Sequence, residues 1–455
     1  MSGTRSRRQV TPASDARRVA VLVGVLFGLA GMGSSSVAVA LPALASDLGL
    51  TTGESAWVIS LYALMLAVAT AVYGRLSDLV GIRLPLLVGV GMMTIGAVLG
   101  AVAPTFELLL VARLLQGAGA ASVPTLGVAV ISSRYTGRVR AGALGRVAGV
   151  TAALSCLGPL AGGGVENLLG WRAVIALPIL GVLMMPLLWR ALPTQGSGAR
   201  LDLFGALLVA ATASGLVLLV QSPAAGVGVA VAGALLLLLG VPSVVAWVRR
   251  RPDGFLPVSV IRNAVVVRSA VAASAIPAAW FALLIAIPAV LVARGWEPWH
   301  VGLALVPSAA TGLLAPRYAG PALVRFGPTK SLALSGITAA VSLAVAAAGA
   351  ATGSAILLVL AVVAVTGSFG LGQPALMAAV GSSVDEAVRG VALGVATLMF
   401  LVGGGVGSAV VGGLGEALGM PESLLLLAIL PILGALLLTG RSVRGADRVG
   451  SPAPR

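Results

Sequence analysis

The chain is poor in the residues that do chemistry. Among 455 residues there is one cysteine, Cys156, and one histidine, His300. A single thiol excludes a disulfide framework and a cysteine-based zinc site. A single imidazole leaves no histidine cluster for a metal or a catalytic triad. Charged residues make up 9% of the chain, against about 25% in soluble domains. No large soluble domain fits that composition. No nucleophile, base and orienting group stand at a workable spacing, so an enzyme is not expected, and neither is a cofactor.

What is present is apolar length. The chain is 58% hydrophobic, with mean hydropathy +1.08. Runs near the roughly 20-residue crossing length recur about fourteen times: 19–44, 56–79, 84–103, 106–131, 141–165, 172–191, 202–221, 224–248, 265–291, 299–319, 330–350, 354–378, 389–414 and 421–440. These are numbered spans 1 to 14. The first run resembles a signal peptide, but it exceeds the 7–15 apolar residues of such a segment and reads as an uncleaved span. An even number of crossings puts both termini on one side.

The net charge of +15 could point to nucleic acid. Its distribution points to the positive-inside rule. With a cytoplasmic N-terminus, outer loops hold only Arg172 and Arg294. Arg5, Arg7, Arg8, Arg17, Arg18, Arg134, Arg138, Arg140, Arg249, Arg250, Arg251, Arg441, Arg444 and Arg448 fall inside. Nucleic acid is therefore not an expected partner; the bilayer is.

The long inner loops, 195–202 and 249–262, divide the spans into six, two and six. The expected organisation is a cytoplasmic tail (1–18), a six-helix bundle (19–194), a two-helix insert with its loops (195–262), a second six-helix bundle (263–440) and a cytoplasmic tail (441–455). Large transporters are often built from repeated halves. Gly74-Arg-Leu-Ser-Asp78-Leu-Val-Gly81 follows span 2, and Gly320-Pro-Ala-Leu-Val324-Arg-Phe-Gly327 follows span 10. Both glycine pairs sit on the inner side with a basic residue beyond, Arg83 or Lys330, in register with a six-span repeat.

Three stretches carry mechanism. In Gly74–Arg83 the glycines permit close backbone approach, and Asp78 can pair with an arginine at the membrane face. That is either a clasp made in one state and broken in another, or an ordinary tight turn. In span 4, Arg113 stands deep in an apolar run with Gln116 nearby. A buried guanidinium costs roughly 2.5–3.5 kcal/mol on insertion scales, so it has partners. Two readings are open: an electrostatic partner for substrate or a coupled proton, or a structural arginine bound to carbonyls of neighbouring helices. In span 5, Gly158-Pro159 interrupts the helix hydrogen-bond ladder, and Gly162 and Gly163 permit close packing. That suits a hinge or seal, or generic small-residue packing.

Together these stretches resemble the signature motifs of the major facilitator superfamily: GRLSDLVGIR the loop 2–3 motif, LLVARLLQGAGAA the span 4 motif, LGPLAGGG the span 5 motif of antiporters. The six-two-six layout, Ala40-Leu41-Pro42, Trp57 to Tyr62, Trp171-Arg172 and Gly302 to Pro307 resemble the fourteen-span drug:proton antiporter branch. The resemblance implies an all-α polytopic membrane protein of the major facilitator fold. It gives Gly74, Asp78, Gly81 and Arg83 a role in the inner gate, Arg113 a role in proton coupling, and Gly158, Pro159, Gly162 and Gly163 a role in helix bending. The sequence departs from the pattern where the family often carries an acid in span 1; Gly33 stands there. Ala38 replaces a later Asn, Val324 replaces the acid of the second loop motif, and the position matching Arg113 in span 12 falls near Gly370.

No carboxylate lies near mid-membrane on this topology. Candidate proton carriers, which need a pKa that changes between states, are Glu54, Glu166 and Asp78. The expected substrate cavity is lined by Ser34, Ser35, Ser36, Trp57, Tyr62 and Gln116 across from Trp280, Phe281, Gln373, Met377, Met399 and Phe400. Aromatic and methionine side chains give an adaptable apolar surface, and each can equally be helix packing. The expected protein is a monomeric exporter of hydrophobic small molecules in the bacterial cytoplasmic membrane: multidrug or antibiotic efflux, driven by proton antiport. Its rivals are an exporter or facilitator of one metabolite without proton coupling, and a non-transporting receptor or scaffold.

Overall fold

The computed structural model describes residues 12–135, 137–193, 202–252, 254–415 and 417–439, leaving out a scatter of side chains within them. Among the described residues every regular element is helical. Each of the fourteen apolar runs is a rod. Spans 1 to 3 are the helices Pro12–Leu48, Thr52–Val80 and Arg83–Ala101. Span 4 is Phe106–Ala120 continued by Ser122–Arg134, and span 5 is Gly137–Leu169. Span 6, Trp171–Ala191, alternates α and 3-10 turns. Spans 7 and 8 are Leu203–Ala225 and Val227–Arg250. Span 9 is Ala264–Ala293, span 10 the pair Pro298–Ala304 and Val306–Phe326, and spans 11 to 14 are Pro328–Thr352, Ala355–Gly381, Glu386–Leu414 and Met420–Thr439.

Twelve helices among the described residues are long and apolar enough to cross a membrane. Spans 7 and 10 are outside these twelve. Span 7, Leu203–Ala225, holds an apolar stretch Leu207–Pro223 among its described side chains. Span 10 is split at Leu305 and carries Arg317 and Arg325. Fourteen crossings stay an expectation.

Side-chain caps start several rods. Thr51 and Glu54 form a capping box on span 2, each accepting from the other's backbone N–H. Thr105 accepts from Leu108 N at span 4, and Ser354 from Leu357 N at span 12, both at 3.4 Å. Glycines stop others. Gly81 and Gly327 have φ of 80° and 77°, a region costly for other residues. Their N–H groups close the last turns of spans 2 and 10 on Ser77 O and Leu323 O. The two loop motifs aligned by sequence thus share one backbone geometry.

The alternating rods define two faces. One, the basic face, carries Arg17, Arg134 and Arg249 to Arg251; the other, the far face, carries the turns after Leu48, Ala101, Leu169 and Ala293. Toward the far face a single apolar cluster draws from both sets of six. It contains Val37 to Leu41, Val58, Ile59, Val174 and Ile175 from the first six spans, and Ala278 to Ile287, Val301, Leu343, Val365, Val411 and Leu427 from the last six. Toward the basic face the two large clusters are separate. One cluster holds Val19, Leu26, Leu86, Met93, Leu126 and Val147, and another holds Val266, Ile276, Leu376, Ala396 and Phe400. A small third cluster packs Phe255 of the loop after span 8 on Leu398 and Val402, beside Val72.

The far-face joint is close because glycines line it. A Cβ on Gly162 would lie 2.5 Å from Ser36 O, and one on Gly302 would lie 2.7 Å from Pro159 O. Gly163 meets the backbone of Pro298 and Trp299. Spans 1, 5 and 10 therefore touch backbone to backbone, which larger side chains would prevent.

Candidate functional site

Span 4 brings Arg113 to the centre of the first six rods, 0% exposed. Its Nε donates to Val58 O of span 2 at 2.8 Å. One terminal nitrogen, Nη2, donates to Gly33 O of span 1 at 2.7 Å, and Nη1 donates to Gln116 Oε1 one turn on. The guanidinium lies 4.3 Å from the centre of the Tyr62 ring, a cation–π contact worth about 2 kcal/mol when desolvated. Tyr62 in turn donates to Ala30 O at 2.6 Å, and Gln116 Nε2 to Ile175 O of span 6 at 3.2 Å. Hydrogen bonds to a charged group contribute about 1.5–3 kcal/mol each. Three of them offset an insertion cost of roughly 2.5–3.5 kcal/mol. One cation thus ties spans 1, 2 and 4 together, and its hydrogen-bond partner extends the tie to span 6.

Every oxygen that accepts from Arg113 among the described residues is neutral. At Gly33, where the resembled pattern carries an acid, the backbone carbonyl takes the guanidinium instead. A Cβ there would lie 2.9 Å from Tyr62 Oη, so the tyrosine occupies the room a side chain would need. Tyr62, expected to line a cavity, is packed under the arginine at 1% exposure.

The second expected group also assembles, in the last six rods. Trp280 meets Phe281 edge-on at 5.0 Å and Phe369 at 5.4 Å, and Phe369 meets Phe400 at 5.3 Å. Met377 and Met399 pack beside this strip, half-buried. Thr397 Oγ1 stands 3.9 Å from Met377 Sδ, and Gln373 is half-buried in span 12. Sequence reasoning missed Phe369, a lone aromatic in an apolar run, although it joins Trp280 to Phe400.

The other candidates divide. Ser34, Ser35 and Ser36 are all buried; Ser35 Oγ donates to Gly31 O at 3.4 Å, whereas the Ser34 and Ser36 hydroxyls have no hydrogen-bond partner among the described residues. Trp57 is 9% exposed in span 2. The helix of span 5 runs on through Pro159; Gly158 lies against Ser35, and Gly162 and Gly163 form the far-face joint. Arg83 donates to Trp189 O at 3.0 Å and stacks on the Trp189 ring, which ties the loop after span 2 to the end of span 6. Gly74 and Asp78 fall within the helix Thr52–Val80, but the surroundings of Gly74 and the side chain of Asp78 lie outside what the structure describes. The Glu54 carboxylate is engaged in its capping box, and Glu166 is half-buried near the far end of span 5.

A family model described as "Major Facilitator Superfamily" matches residues 23–316. The chain belongs to the major facilitator superfamily, the class of membrane transporters whose helical architecture is seen here. Among curated proteins it is similar to the MFS-type transporter EfpA of Mycobacterium tuberculosis, 34% identical over 191 residues, 41% of this chain and 36% of that protein. It is also similar to the efflux pump dotC of Dothistroma septosporum, 32% identical over 173 residues, 38% of this chain and 30% of that protein. The chain spans about a third of the length of these relatives.

Proposed function

We propose that the protein exports lipophilic small molecules, antibiotic-like compounds or secondary metabolites, across the bacterial cytoplasmic membrane. The basic face is the cytoplasmic one, with both termini on it. Spans 1–6 and 9–14 are two bundles that rock about a midplane site, with spans 7 and 8 inserted between them in sequence. One observation carries this reading. The bundles share one large apolar cluster at the far face, whereas toward the basic face their large clusters are separate and are joined through the small Phe255 cluster between Val72 of span 2 and Leu398 and Val402 of span 13, the arrangement expected of a carrier closed to the outside. The strip of Trp280, Phe281, Phe369 and Phe400 with Met377 and Met399 supplies an apolar surface for a ligand with little charge. The relative named an efflux pump supports the outward direction.

The driving force is proton antiport, with Glu166 as the proton carrier, because the Glu54 carboxylate already caps span 2. In everted vesicles with an acid lumen, adding a lipophilic dye makes the lumen less acid. Dye flux without proton movement overturns the coupling and favours a facilitator of one metabolite. The neutral shell of Arg113 is the observation that keeps that second reading in play. Dye binding with no flux in proteoliposomes would make the protein a receptor and overturn both.

A further inference from the structure

Span 7 does not stand clear of the bundles. Its residues Val217, Val220 and Gln221 lie in the groove between span 2 and span 13. Val217, 0% exposed, packs with Leu64 of span 2 and Ala409 of span 13. Gly412 and Gly413 of span 13 let the backbone of span 7 come close: a Cβ on Gly413 would lie 2.5 Å from Val220 O, and one on Gly412 would lie 2.8 Å from Gln221 Nε2.

Within this groove Gln221 is 0% exposed, the buried polar side chain among the described residues of spans 7 and 8. Its Nε2 donates to Gly53 O, in the first turn of span 2, at 3.1 Å. Its Oε1 accepts from Ser60 Oγ at 3.4 Å, and the same hydroxyl lies 3.1 Å from Ser408 Oγ of span 13. Ser408 donates onward to Gly405 O at 2.9 Å. The Ser60 proton is therefore shared between an acceptor on the insert and one on the second bundle. Every atom of this network lies in the far half of spans 2, 7 and 13, at the seam that must part for the carrier to open outward.

We propose that Gln221, with Ser60 and Ser408, is a latch by which span 7 holds the outer gate shut, so that the insert sets the balance between the two carrier states. These are positioning residues: they touch no substrate and act through the seam. Breaking the latch inside the membrane leaves polar groups without water to replace the lost partners, yet the unlatched seam can open. The latch rests on the alternating-access reading above.

The test is the accessibility of Val301, 0% exposed in the far-face cluster. Val301→Cys is placed in a Cys156→Ser background, and intact cells are treated with a membrane-impermeant maleimide. Gln221→Leu raises the labelling rate about tenfold, the effect of losing two interhelical hydrogen bonds. Ser408→Ala, a milder change, raises it less. Adding Ser408→Ala to Gln221→Leu gives less than the product of the single effects, because the residues share one network. Ser214→Ala, on the same helix but bonded, among the described residues, to Ala210 O of its own turn, leaves the rate unchanged. A Gln221→Leu rate equal to the parent's, in protein that stays monodisperse, overturns the latch. A parent that transports dye but never labels overturns the alternating-access reading, and the latch with it.

Discussion

Spans 4 and 12 begin alike and diverge within three turns. Each starts from a hydroxyl cap at the same 3.4 Å, Thr105 on Leu108 N and Ser354 on Leu357 N. Eight residues after Thr105 stands Arg113; eight after Ser354 stands Val362, a buried apolar side chain. Counted from the caps, Val362 stands at the number in span 12 that Arg113 has in span 4. Beyond it, span 4 offers Gln116 to the guanidinium, whereas span 12 offers Phe369 to an aromatic strip. The same helical start serves a polar knot in one half and an apolar surface in the other. The first set of six rods fixes three of them around a charge, and the last six pack an aromatic strip, which is the face proposed above for the ligand.

The largest expected effect comes from removing the charge. Arg113→Ala removes the donor to Gln116 Oε1 and the additional donor to the helical carbonyls of Gly33 and Val58, which unties spans 1, 2 and 4, and export falls to background. Nearly as severe is the reciprocal change. Val362→Arg puts a guanidinium in a half that has no carbonyl cage for it, at a cost of roughly 2.5–3.5 kcal/mol, and the yield of inserted protein on immunoblots drops sharply. An unchanged yield would show that either half can carry the charge.

A middle-sized effect belongs to the aromatic strip. Phe369→Ala separates Trp280 from Phe400 and raises KM for a lipophilic dye several-fold with little change in maximal rate. An unaltered KM would return Phe369 to simple packing. Gly33→Ala is milder. Its Cβ would stand 2.9 Å from Tyr62 Oη, and the tyrosine must shift from its bond to Ala30 O, so a thermal shift assay shows a loss of stability.

The smallest effect lies outside both spans, in the cap of span 7. Asp202 is partly buried, which pushes its carboxyl pKa up, but hydrogen bonds from Phe255 N, Gly205 N and Trp247 Nε1 outweigh this and hold it below the usual carboxylate range. A depressed pKa stabilises the fold above the unfolded value of about 3.9 and loses that contribution as pH falls through the folded value. The protection factors of the Gly205 and Phe255 amides, measured against intrinsic exchange at each pH, are therefore flat from pH 8 to 5 and fall only in stronger acid. A fall near pH 6 would contradict the assignment.

Much of this was legible in the sequence. Apolar length located all fourteen rods, and the paired glycines gave Gly81 and Gly327 their shared turn. A cation in an apolar run required partners, and it has them. What stayed hidden is the identity of those partners, because a backbone carbonyl such as Gly33 O or Val58 O leaves no mark in the residue types. The docking of span 7 was hidden for a related reason. A uniformly apolar helix does not say which groove it fills, and Gln221 alone hinted that one side was not lipid. Phe369 looked like any other apolar residue until the fold placed it between two aromatics.

The account rests on Arg113 as the knot of the first bundle, and one comparison tests it most directly: dye export from cells producing the parent, Arg113→Lys or Arg113→Ala at matched protein level. The fork of nitrogens bonds two helices and a side chain at once, which an ammonium cannot reproduce. The prediction is full export by the parent, a small remnant with Lys and background with Ala. Export by Arg113→Ala at the parent's rate would contradict it.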